Sequence, residues 1–192
     1  MMQSWMASVR VALGTIAVCV VGYAGVVLGI AQLLTPNAAD GHLITAADGS
    51  VVGSRQLAQA FTRPEYLWPR PSAVGYNGAG AGGSNKSPTS SDLTDRALEI
   101  IAQYGATPER PLPPELVAAS GGGLDPHVSE RAALYQVGRI AGARAVPVSR
   151  VEALIQERAF APGGMLTPDR VVNVLDLNLA LDSLSTGPAP SP

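Results

Sequence analysis

The sequence predicts an α+β protein: one N-terminal transmembrane helix followed by a single extracytoplasmic domain with a small sheet and three to four helices. Three observations carry this. A charge-free apolar run lies near the N-terminus. Short β-prone segments sit at both ends of the remaining chain. Between them, apolar residues recur at three- and four-residue steps.

The apolar run is residues 11–34, "VALGTIAVCVVGYAGVVLGIAQLL", 24 positions without a charge. As a helix it is about 36 Å long, enough to cross a bilayer core of about 30 Å with some tilt. A cleaved signal peptide has a shorter apolar stretch and a small-residue exit. The exit here, Asn37-Ala38-Ala39, fits that poorly, so a retained anchor is expected. Arg10 precedes the span, and no further Lys or Arg occurs before Arg55. That bias puts residues 1–10 in the cytoplasm and the C-terminal domain outside, with Trp5 as an interfacial aromatic. Gly14, Gly22, Gly25 and Gly29 give the span a small-residue face. Gly25-x-x-x-Gly29 has the spacing for close helix packing, and Gly22, Gly25 and Gly29 are its candidate contact residues.

Residues 35–184 form the expected domain, and 185–192, "STGPAPSP", a disordered tail. In order, "HLITAADGSVVG" reads as two strands turning at Asp48-Gly49. "SRQLAQAF" reads as a short helix capped by Ser54. Residues 62–91 carry Pro64, Pro69, Pro71 and Pro88 and form a long loop. Its Tyr66, Trp68 and Tyr76 argue that this loop packs rather than hangs free. A helix follows from Ser91, with Leu93, Ala97, Ile100, Ile101 and Tyr104 on one face and Gly105 as its stop. Ser129 caps a second helix, with Ala133, Val137, Ile140 and Ala141 inward. Ser149-x-x-Glu152 reads as a capping box opening a third, ending near Arg158. "VVNVL", residues 171–175, reads as a strand pairing with the 43–53 hairpin, and "LDLNLALDSL" as a last helix.

Composition excludes some classes. The chain has 192 residues, net charge −2 and 15% charged residues, so it lacks the basic footprint of a nucleic-acid binder. Its one cysteine, Cys19, lies in the span, so no intrachain disulfide is available. Lys86 is its only lysine.

Two glycine-rich stretches attract attention. "YNGAGAGGSNKSP" contains Gly78-x-Gly80-x-x-Gly83, the spacing of a dinucleotide loop. Such a loop needs a strand before it and a helix opening on its third glycine, and Pro88 stands in the way. A phosphate loop needs lysine directly after glycine, whereas Ser84-Asn85 separates Gly83 from Lys86. The second stretch, "SGGGLDPHVSE", offers Ser120, Asp125 and His127 to a hydrolase. It lacks one glycine of a nucleophile elbow, and its three groups sit within eight residues, unlike most triads. Asp125 and His127 could begin a metal site, but the only other histidine is His42. No catalytic and no metal-binding residue is therefore assigned. The bland alternative is a tight turn in which Asp125 bonds its own backbone. Gln136 and Arg139, one turn apart, either present polar groups to a partner or face water. Asn173 and Asn178 bracket a strand-to-helix corner, where buried amides would bond backbone.

Taken together, "VGSRQLAQAF", "RPSAVGYN", "GGSN", "ASGGGLDPHVS", "ALYQVGRIAGAR" and "VVNVLDLNLALD" resemble, in order, the C-subunit (KdpC) family of the bacterial high-affinity Kdp potassium-transporting P-type ATPase. Two departures stand out. Lys86-Ser87 precedes Pro88 where the family has a small apolar residue and glycine, and Gly122 replaces a serine. The resemblance implies a plasma-membrane accessory subunit without an active site. Its implied partners are a K⁺-conducting A subunit, an ATPase B subunit and a small F subunit. Its implied role is assembly and a raised ATP affinity of the B subunit. The shared motifs single out Arg70, Ser72, Gly83, Ser84, Asn85, Ser120, Gly121, Asp125, His127, Gln136 and Arg139 as ligand or docking candidates. ATP is implied as a ligand by this resemblance alone. An extracytoplasmic domain would not meet cytoplasmic ATP, so docking is the leading expectation. The alternatives are a chaperone that contacts ATP directly and an anchored hydrolase.

Overall fold

The computed structural model describes residues 2–46, 48–167 and 169–185. The expected disordered tail lies, but for its first residue, outside them. The chain divides into two compact units after Val51.

In the N-terminal unit, α1 (Met2–Thr15), a π-helical segment (Ile16–Gly22) and α2 (Tyr23–Leu34) run on without interruption. Ser4–Leu34, 31 residues, is long and apolar enough to cross a membrane. Its side chains are almost all exposed, which a water-soluble core helix would not tolerate. One further turn, α3 (Pro36–Ala39), comes after Thr35. β1 (Leu43–Thr45) leads into the expected turn. There Asp48 Oδ1 accepts the Ser50 N–H at 2.9 Å, and Gly49 takes φ +82°.

β2 (Val51–Ser54) follows the turn. The helix expected over "SRQLAQAF" is absent. Ser54 Oγ does accept the Gln56 N–H, but this caps only a turn. The next N–H groups find distant partners: Ala58 donates to the Leu124 carbonyl at 3.0 Å, while the Gln59 side chain donates to Val52 O. These contacts hold the backbone extended.

The loop from 62 to 90 is packed, as its aromatics suggested, with Leu67 and Trp68 buried. α4 (Ser91–Tyr104) ends as predicted, with Gly105 in the left-handed region. A 3₁₀ turn (Pro114–Leu116) drops Leu116 into the core.

A two-stranded sheet corrects the expected pairing. β3 (His127–Ser129) pairs antiparallel with β4 (Val171–Asn173), setting Val128 opposite Val172. The strand 171–175 therefore does not join the 43–53 hairpin, and it ends at Asn173. At three residues, β3 is too short to show alternation in sequence.

Ser129 caps α5 (Glu130–Tyr135) through a bond from the Ala132 N–H at 3.1 Å. The single helix expected here breaks at Gln136, and α6 (Val137–Arg144) continues. The predicted inner face of Ala133, Val137, Ile140 and Ala141 is buried. α7 (Val148–Arg158) starts two residues earlier than the capping-box reading allowed. Pro147 occupies the cap and Ser149 lies inside the first turn, because proline pre-sets the backbone for helix entry. α8 (Val174–Ser185) begins where Asn173 Oδ1 accepts the Asp176 N–H. Around Val128 and Val172, helices α5 to α8 close one core with Leu67, Leu116, Val151, Ile155, Leu177 and Leu181.

Candidate functional site

The glycine loops sit against each other. Gly82 N–H donates to Gly122 O at 2.9 Å, and Ser120 N–H to Pro71 O at 3.1 Å. Ser72 Oγ donates to Gly123 O at 2.6 Å and accepts the N–H groups of Val74 and Tyr76. A Cβ on Gly83 would lie 2.8 Å from Gly121 O; one on Gly123 would lie 2.7 Å from Val74 and 2.8 Å from Gly82 O. Gly123 also has φ +69°. Bare backbone is thus required so that two loops can touch.

This arrangement leaves little of a phosphate cradle. The N–H of Gly80 is taken by Asn77 O, that of Gly82 by Gly122 O, and Lys86 pairs with Asp92. Ser84 is half-buried and its hydroxyl makes no hydrogen bond among the described residues; Asn85 is exposed with φ +48°. Tyr76 holds φ +58°, uncommon for a bulky residue. It is secured by its N–H on Ser72 and its hydroxyl on Arg70 O at 2.9 Å, and burial raises its phenol pKa.

The proposed hydrolytic residues do not converge. Ser120 is buried, and no hydrogen bond links its hydroxyl to Asp125 or His127 among the described residues. Asp125 is engaged elsewhere. One oxygen accepts the His127 N–H at 3.0 Å and the other an Arg70 N–H at 3.1 Å. Burial works to raise the Asp125 pKa, but the His127 bonds and the Arg70 charge outweigh it and hold the carboxyl below its ordinary value. His127 stands 3.7 Å from Asp125 through Nδ1 and 3.5 Å from the Asn173 amide through Nε2, with the Phe160 ring at its edge. Among the described residues no three His, Cys, Asp or Glu side chains gather as a metal site.

The remaining two candidates, Gln136 and Arg139, form a backbone clamp together with Asn178. Gln136 is buried: its Oε1 accepts the Trp68 N–H at 2.9 Å, and its Nε2 donates to Trp68 O at 3.1 Å. Asn178 does the same for Leu67, at 2.7 and 3.0 Å. Two side-chain amides thereby satisfy four main-chain groups that a sheet would otherwise serve, and each would be costly to leave bare. Arg139 stacks 3.6 Å over the Trp68 ring and donates to Gln136 Oε1, Pro64 O and Tyr66 O. Burial pushes its pKa down to about 10. Arg144, absent from the sequence candidates, donates to Glu65 O and Leu181 O and pairs with Asp182 at 2.8 Å. An isolated arginine at a helix end carries no sequence signal for that task. Gln136 is thus a core group and does not face water. Asn173 and Asn178 bond backbone as expected, Asn173 donating to Arg55 O.

Beside the clamp lies a cavity of about 190 Å³ lined by Phe61, Trp68, Pro71, Tyr76, Ile100 and Tyr104, among others. On the span, Gly25 and Gly29 have open space where a side chain would stand, while Gly22 meets only its own helix backbone.

A family model described as KdpC, K⁺-transporting ATPase, c chain, matches residues 5–183. A potassium-transporting ATPase KdpC subunit of Parvibaculum lavamentivorans is 63% identical over 96% of this chain and 99% of its own. Those of Myxococcus xanthus, 42% identical over 99% of this chain and 92% of its own, and Pseudomonas savastanoi, 40% over 88% and 87%, are similar as well.

Proposed function

The chain belongs to the KdpC family of K⁺-transporting ATPase c chains, and from that premise we propose that it is a membrane-anchored, non-catalytic subunit of a K⁺-importing P-type ATPase. It holds the complex together and raises the affinity of the ATPase subunit for ATP by docking, without binding nucleotide itself. The N-terminus is cytoplasmic and residues 35–184 lie outside. The partners are the K⁺-conducting, ATP-hydrolysing and small subunits that the family resemblance implies.

One observation carries this reading: the glycine loops are closed on each other, backbone to backbone, and the N–H groups of Gly80, Gly82 and Gly123 are spent on carbonyls within the protein instead of facing an anion. The polar candidates Arg70, Ser72, Asp125, Gln136 and Arg139 likewise hold backbone or each other. Influence on a distant ATPase then requires that the subunit contact one state of its partner better than another.

Sidedness tests it. Thr94 is exposed and Cys19 is the sole cysteine. Thr94→Cys in a Cys19→Ala background should react with a membrane-impermeant thiol reagent on intact cells. Reaction only after permeabilisation would put the domain beside ATP and overturn the docking reading. So would saturable ATP binding to the purified subunit that weakens on Lys86→Ala.

A further inference from the structure

α4 is poorly tied to the domain that carries it. None of its fourteen residues is buried. Leu98 is 60% and Ile101 36% exposed. Among the described residues, the only side chain that hydrogen-bonds or ion-pairs with one from α4 is Lys86, through Asp92, and both groups of that pair are exposed. Such pairs contribute little. No side chain caps the N-terminus of α4. Its preceding residues, 85–89, are exposed as well.

The C-terminal end differs. The Tyr104 ring packs edge-on between Trp68, 5.2 Å away, and Tyr135, 6.2 Å away. Gly105, at φ +60°, turns the chain immediately after. At the other root, Gly83 is locked against Gly121. Between these fixed points, Ile100 and Gln103 form one wall of the aromatic cavity.

The geometry points to residues 84–104 as a hinged arm, with Tyr104 and Gly105 as pivot, that opens over the aromatic cavity while the rest of the domain stays folded. Opening breaks one exposed ion pair and few apolar contacts. It uncovers Trp68, Tyr76 and Phe61. Such segments open by local fluctuation, well below the free energy of global unfolding.

Amide hydrogen exchange on the full-length protein in lipid nanodiscs tests this. Amides of 95–103 should exchange at least about 100-fold faster than those of 152–158 in α7, and with little dependence on denaturant. Asp92→Asn should speed exchange in 91–104 alone. Tyr104→Ala should speed it further, and Tyr104→Phe should restore it, because the ring and not the hydroxyl is the pin. Equal protection of α4 and α7, with both responding alike to denaturant, would overturn the arm. So would acceleration spread over the whole domain in Asp92→Asn.

Discussion

α4 and α7 are helices of fourteen and eleven residues, and both carry apolar residues at three- and four-residue steps. α7 buries Val151, Leu154 and Ile155 against α5, α6 and α8. α4 has no fully buried residue: Leu93, Ala97, Ile100 and Tyr104 are half-buried, and the last two line the cavity. The difference teaches that periodicity specifies a helix and its apolar side, but not what covers that side. For α7 the cover comes from α5 and α6 before it and from α8 and β4 further along the chain. Most helical stability comes from such cover rather than from propensity.

The sharpest way to break this comparison is to trim each helix. Ile155→Ala should cost about 3–4 kcal/mol by leaving a core cavity, whereas Leu98→Ala should stay within about 0.5 kcal/mol. Denaturant unfolding of the full chain in detergent reads both; similar losses would erase the distinction. A second contrast lies within the body that α7 belongs to. Gly123→Ala would push a Cβ into Val74 and Gly82 O at positive φ, costing about 3 kcal/mol. Gly122→Ser, one residue away, has open space and should change stability by less than about 0.5 kcal/mol in the same assay.

Asp125→Asn probes the body without altering α4. The folded Asp125 pKa is depressed, so its contribution is fully present above the unfolded carboxylate value of about 3.9 and fades as pH falls through the lower folded value. Asp125→Asn should therefore be less stable at neutral pH and should lose less stability than the parent on going from pH 5 to pH 2. Thermal melts across that range measure the slope. A modest gain is expected at the end of α6. Ala145 holds φ +54° where glycine is the usual stop. Ala145→Gly should stabilise by about 0.5–1 kcal/mol, seen as a slightly higher melting temperature.

The features legible in the sequence were those with local causes. The span, the Asp48-Gly49 turn, the Gly105 stop and the Ser129 cap all arise from neighbouring residues. "SRQLAQAF" misled because its N–H groups bond across 66 positions, from Ala58 to Leu124. β3 was hidden because a three-residue strand has no period and exists only opposite Val172. At the candidate site, the glycines marked the right loops, but their purpose was set by the partner loop forty residues on. Gln136 looked like a surface group on its helix, and only the Leu67–Trp68 segment reveals it as a substitute for a sheet neighbour. Asn178, read as a backbone-bonding amide, needed only one local cue, its position at a buried corner.

The lone lysine has a practical consequence for chemistry at primary amines. Apart from the chain's amino terminus, an acylating reagent has a single target, Lys86, and that target stands in the strap leading into α4. Its rate of acylation depends on how often the ammonium is released from Asp92. One covalent readout, needing no introduced probe, therefore tracks the coming and going of that tether inside an assembled complex.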